Sequence, residues 1–226
     1  MDTGGPILMN MSRQPMNKNT DVLTLTQLLS PSFPVGTFAY SHGLETAVSD
    51  GIVNSADDLQ NWLLDLLQHG GARSDAVLLN MAYARDCEVV DAQARAFASS
   101  SERLKETDLQ GAAFCDTVRA IWGFDVRQLT YPVAVGRTAC LLAFDVELTT
   151  ALYVQSSVGN LIAAAMRMSV VGQTEGQLIH ADLKPHFAII AEEACGASID
   201  DLNSNAWMAD IMSMRHETQY SRVFRS

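Results

Sequence analysis

A hydroxyl beside an imidazole at Tyr40-Ser41-His42 invites a nucleophile reading, with the histidine taking the serine proton. Hydrolase serines sit in a Gly-x-Ser-x-Gly elbow with the histidine distant in sequence, and no such elbow surrounds Ser41. Side chains adjacent on a helix also diverge by about 100°. The segment therefore reads as a helix start. Zinc-peptidase chemistry needs two histidines four residues apart on a helix, with a glutamate after the first. His216-Glu217 begins that pattern, but Tyr220 stands where the second histidine belongs. His180 and His186 are six apart with Pro185 between them to interrupt a helix, so satisfied or surface histidines are the plainer account. A phosphate-binding loop requires Gly-Lys followed by Ser or Thr. Gly-Lys never occurs, which leaves any nucleotide to a partner.

Two segments carry residue types suited to recognition. Over 28–45, Pro31 and Pro34 fix a kinked connection and remove backbone donors. Gly36 allows a tight turn before a helix bearing Phe38, Tyr40, His42 and Glu45. A rigid corner between helices accounts for the prolines and the glycine, but less well for the aromatic and ionisable groups after the turn. The second segment, 214–226, sets Arg215, Arg222 and Arg225 against a single acid and interleaves Tyr220, Val223 and Phe224. Arginine and aromatics dominate interface hot spots. The tail either folds back on an acidic body or docks into a partner's groove.

The elements that must position these residues are helical. Ser55 and Asp58 form a capping pair, and Leu59, Trp62, Leu63, Leu66 and Leu67 follow on one stripe up to Gly70-Gly71. Ser74 and Asp75 suit the start of the next helix. Segments 92–98, 101–122 and 146–168 read as helices, the last broken only at Gly159 and rich in small residues that admit a close neighbour. Asp182 suits the cap of a helix ending before Gly196, and 198–204 a further short one. Alternation typical of strands is scarce, 124–129 having β character without a hairpin partner. The expectation is an all-α fold: a single-domain bundle of roughly eight to ten helices over 21–214, after a flexible N-terminal arm over 1–20 and before a partner-binding tail over 215–226.

Composition bounds the function. With 48% hydrophobic and 18% charged residues, 226 residues can bury a sizeable core. The net charge of −11 argues against nucleic acid, which rewards a basic face. The four cysteines, at 87, 115, 140 and 195, form no Cys-x-x-Cys pair and suit reduced thiols in a cytoplasmic protein. No apolar run is long enough to span a membrane, and 1–20 has no secretory core.

On its motifs, the chain resembles the UreF family of urease accessory proteins. Residues 30–45 match Ser-Pro-x-x-Pro-Val-Gly-x-Phe-x-Tyr-Ser-x-Gly-Leu-Glu. Tyr131-Pro-Val-Ala-Val-Gly136 matches a second block and Arg167 to Gln177 a third. The ending from His216 matches a fourth, with Val223 where leucine is usual. Thr37 stands where many relatives have glycine, and a β-branched residue there needs ordinary backbone angles. The resemblance implies an all-α, non-enzymatic scaffold without a cofactor of its own. It would form a homodimer, bind UreD (also called UreH) and recruit the GTPase UreG, so that nickel reaches apo-urease. It puts the UreD face on Tyr220, Arg222, Phe224 and Arg225, and further partner surface on Arg167, Gln173 and Gln177. Tyr40, His42 and Glu45 would join that surface or line a nickel passage, and Arg167 or Arg222 would suit an arginine finger. The alternative is a metallochaperone holding nickel itself through His42, His180 and His186.

Overall fold

In a computed structural model describing residues 18–225, the chain forms α-helices and two 3-10 turns, with no strand among the described residues. The expected all-α, single-domain class is observed. In chain order the helices are α1 (Lys18–Leu28), α2 (Leu44–Ser49), α3 (Ala56–His69), α4 (Gly71–Ala84), α5 (Cys87–Phe97), α6 (Ser101–Trp122), α7 (Tyr131–Leu141), α8 (Val146–Arg167), α9 (Gln173–Asp182), α10 (Lys184–Ala194) and α11 (Trp207–His216). Ten have ten residues or more; only α2, with six, is shorter. The first helix begins inside the segment read as an arm over 1–20, since Lys18 to Thr20 are helical, and 1–17 lie outside the described residues.

Local signals explain most boundaries. The Ser55 hydroxyl accepts from the Asp58 backbone N–H at 3.2 Å and donates to its carboxylate at 2.7 Å, which satisfies a free donor of the first turn of α3. Leu59, Leu63 and Leu67 on its inner face are fully buried, each contributing about 1.5–3 kcal/mol of transfer free energy. Ser100 caps α6 and Asp145 caps α8 in the same way. Three starts differ from expectation. Gly71 opens α4 at once, because Ser74 turns its hydroxyl to carbonyls of Gly70 and Asn203 instead of capping. Capped by Asp86, α5 begins at Cys87, five residues before the expected start at 92. Asp182 closes α9 and caps nothing, while Pro185 sits in the first turn of α10, where a missing N–H costs nothing.

The core lies where α4 runs along α7, with α3, α5, α8 and α10 also against α4. Gly136 makes that approach possible, since a Cβ there would lie 2.2 Å from the Leu79 carbonyl oxygen. In α8 the helix continues unbroken through Gly159, where only a His180 ring atom approaches a would-be Cβ, at 3.8 Å. Residues 124–129 form no strand, and Val126 and Leu129 are buried. No helix among the described residues is long and apolar enough to cross a membrane.

Candidate functional site

The corner between α1 and α2 is built from its prolines and glycines. Gly36 takes the left-handed conformation (φ 72°), and a 3-10 turn over Thr37–Ala39 follows with Thr37 outside the positive-φ residues. Tyr40 is extended, and His42 (φ 52°) and Gly43 (φ 78°) are both left-handed before α2 starts. A non-glycine residue held there costs on the order of 1–2 kcal/mol. The surroundings that hold it are visible: the His42 Nε2 atom lies 2.9 Å from a carboxylate oxygen of Glu106. Gly43 is required by its neighbour, since a Cβ would lie 2.6 Å from the Ser213 backbone nitrogen in α11.

That contact brings α11 and the tail over the corner. The His216 side chain is 0% exposed between two carboxylates, its Nε2 3.1 Å from Glu45 and its Nδ1 2.7 Å from Glu102. The tail then folds back on the body. Glu45 accepts the Val223 backbone N–H at 2.6 Å and that of Phe224 at 2.9 Å. The Arg222 guanidinium donates to Glu102 at 2.6 Å, and the Arg225 backbone N–H to the Ala39 carbonyl at 2.8 Å. Phe224 is buried beneath the Arg167 guanidinium, whose carbon stands 4.4 Å from the ring centre, a cation–π arrangement. Arg167 also donates to the Phe38 carbonyl at 2.7 Å. The tail thus folds back on the acidic body, the first of the two courses read from its sequence.

Beneath the corner runs a buried polar network. Arg103 of α6 donates to Asp75 of α4 at 2.6 Å and stands 3.3 Å from Glu106; Tyr153 of α8 donates to Asp75 at 2.8 Å. Gln110 donates to Glu106 at 2.9 Å. Burial opposes the Arg103 charge, but Asp75 and Glu106 outweigh it and hold the group protonated. Burial, with the Asp75 charge second, pushes the Tyr131 and Tyr153 hydroxyls up, so both remain donors at every ordinary pH. Tyr40 is raised by burial and by Glu106, against a hydrogen bond from Arg225. A small polar cavity opens here between His42, Tyr40, Glu106, Gln110 and Asn160.

Of the residues singled out from sequence, Tyr40, His42, Glu45, Arg167, Arg222, Phe224 and Arg225 come together around the corner. Tyr220 stands fully exposed in the tail, while Gln173 and Gln177 are exposed on α9. The three candidate metal ligands are dispersed: His42 bonds Glu106, His180 faces the Gln155 carbonyl at 3.4 Å, and His186 lies in the first turn of α10. Among the described residues no group of three or more His, Cys, Asp or Glu is placed to hold a metal ion. Sequence reasoning missed Glu102, Glu106 and the binding role of His216. It also missed the outer face of α11. That helix buries Ala209, Met212, Ser213 and His216 and turns Trp207 (69% exposed), Met208, Ile211 (46%) and Met214 (51%) to solvent. Trp207, Ile211 and Met214 recur at i, i+4 and i+7, a spacing that normally marks an inward stripe.

The UreF family model matches residues 53–184. Urease accessory protein UreF of Roseobacter denitrificans is 50% identical over 207 residues, covering 90% of this chain and 93% of the relative. The chain belongs to the UreF family. A UreF of Ruegeria sp. is 53% identical over 208 residues (90% and 97%), and that of Ruegeria pomeroyi is 45% identical over 209 (91% and 96%). The corner and the tail both lie outside the 53–184 span, which takes in Glu102, Glu106 and Arg167.

Proposed function

We propose that this UreF-family chain is a docking scaffold of urease maturation, without turnover of its own. It would bind UreD (UreH) through α11 and the tail, and recruit the GTPase UreG so that nickel passes to apo-urease. The observation that carries the reading is the outer face of α11, which exposes a tryptophan, an isoleucine and two methionines while Ala209, Met212, Ser213 and His216 face inward. A helix that shows its large apolar groups to water is an interface waiting for cover. Tyr220 and Val223, held outward by the clasped tail, extend the same chemistry. The names of the relatives, urease accessory protein UreF, support the urease setting. In this reading nickel is cargo held by the partners, which agrees with the dispersal of the histidines. The homodimer, the cytoplasmic location and the partner surface on Gln173 and Gln177 belong to the same proposal. Arg167 and Arg222 are engaged within the chain, so this reading assigns them to holding the tail instead of acting as arginine fingers.

The test uses side chains already in solvent, so that the fold is spared. Trp207→Asp with Ile211→Asp should weaken binding to a co-expressed UreD by about 100-fold or more, the scale of two lost interface anchors. Circular dichroism and thermal midpoint should stay unchanged. Undiminished co-purification refutes the docking face. Equilibrium dialysis showing one tightly held nickel per isolated chain, lost in His42→Ala, would replace the scaffold reading with the metallochaperone.

A further inference from the structure

Three polar anchors of the tail share one feature. Arg222, Val223 and Phe224 all land on the two carboxylates that His216 bridges. We infer that His216 is a proton-operated key: its doubly protonated ring locks the Val223 and Phe224 backbone onto the body, and loss of one ring proton loosens it. The inference concerns how the tail is attached and stands apart from what docks there.

The argument is a count of donors. Each ring nitrogen lies within hydrogen-bond distance of a different carboxylate, at 3.1 Å from Glu45 and 2.7 Å from Glu102. A carboxylate only accepts, and a neutral imidazole donates from one nitrogen alone. Only the imidazolium satisfies both contacts; the neutral ring, 0% exposed, sets a lone pair against a carboxylate oxygen. The charges agree. Glu45 on α2 and Glu102 on α6 face the ring, and Arg222 of the tail adds one positive charge at Glu102. With imidazolium the four groups sum to zero; with neutral imidazole a net negative charge is left at a ring with no exposure. The other ionised groups nearby are committed elsewhere, Arg215 to Asp50 at 2.6 Å and the Glu217 carboxylate to the Ser101 backbone N–H at 2.9 Å.

The proton that stays is the one on the shorter contact, to Glu102; deprotonation removes the hydrogen bond to Glu45, and the Val223 and Phe224 contacts that it aims fail with it. The contacts left are the Arg222–Glu102 pair, the Arg167–Phe224 stack, the Arg225 N–H to Ala39, the Glu217 carboxylate on the Ser101 N–H and the Thr46 hydroxyl donating to Gln219 at 2.9 Å. α11 remains, held by the buried Ala209 and Met212.

The experiment uses the full chain alone. Nitrogen-15 NMR of the histidine rings reports the protonation of His216 across the pH range of native protein. Amide exchange, corrected for its intrinsic pH dependence, reports Val223 and Phe224. Both amides should lose protection by about tenfold or more as the His216 ring loses its second proton, the effect of a charge-assisted hydrogen bond. Amides inside α4 should show no step. Protection that stays flat through the ring titration overturns the inference, as does a singly protonated ring wherever the amides are protected. His216→Gln, a neutral ring substitute, should show the low protection of the deprotonated state at every pH. If that variant fails to fold, the wild-type titration decides.

Discussion

At the scale of single residues, close approach and charge pairing decide what each position tolerates. Gly43 and Gly51 share nearly the same left-handed φ, 78° and 72°, but a Cβ at Gly51 meets nothing within 4 Å while one at Gly43 meets the α11 backbone at 2.6 Å. Comparing alanine at the two positions separates strain from collision. Gly51→Ala should cost about 1 kcal/mol, the strain of a left-handed residue. Gly43→Ala should cost about 2–3 kcal/mol or more, because backbone must also move. Urea unfolding measures both; equal costs would mean that α11 does not press on the corner. The arginines of the tail follow the same logic of pairing. Arg215 and Arg222 are matched to Asp50 and Glu102, so two of the three arginines of the basic cluster visible in the sequence are neutralised by the body. That could not be foreseen, because Glu102 lies 120 residues from Arg222 and nothing local links them.

Among the elements, the Asp75–Arg103–Glu106 network ties α4, α6 and α8 beneath the corner. Removing one member leaves a buried charge unpaired, whereas removing a pair together leaves an apolar gap that can be filled. Asp75→Leu alone should destabilise by up to about 3–5 kcal/mol, since it leaves the buried Arg103 charge to Glu106 alone and strands the Tyr153 hydroxyl. Asp75→Leu with Arg103→Met should recover at least half of that in urea unfolding. A double variant as unstable as the sum of the singles would show that the network's members act independently. Element boundaries divide by the range of their cause. The starts of α3 and α6 were legible because Ser55 and Ser100 cap within one turn. The start of α4 was not, because Gly70-Gly71 reads as a stop and the hydroxyl expected to cap at Ser74 is drawn to Asn203, 129 residues away. The clasp is legible only in part: its residue types stand out, but the His216 to Glu45 pairing spans 171 positions with no pattern to announce it.

For the whole molecule, the surface charge and the apolar α11 face should act on different phases of binding. The chain carries 26 acidic against 15 basic residues, a net −11, and the tail arginines paired to body acids do little to interrupt that field. A field of one sign accelerates encounter with an oppositely charged partner and repels a like one, and salt screens it over about 10 Å at 0.1 M. Buried apolar anchors govern how slowly a formed complex separates. Stopped-flow association with UreD, the partner proposed above, should therefore slow by about tenfold between roughly 0.05 and 0.5 M salt, with the dissociation rate nearly constant. Trp207→Ala should do the reverse, speeding dissociation while leaving association and its salt dependence in place, because it removes contact area and no charge. If salt speeds association, the partner surface is acidic and the steering role of the net charge falls. If Trp207→Ala slows association instead of speeding dissociation, the α11 face acts in encounter and does not anchor the complex.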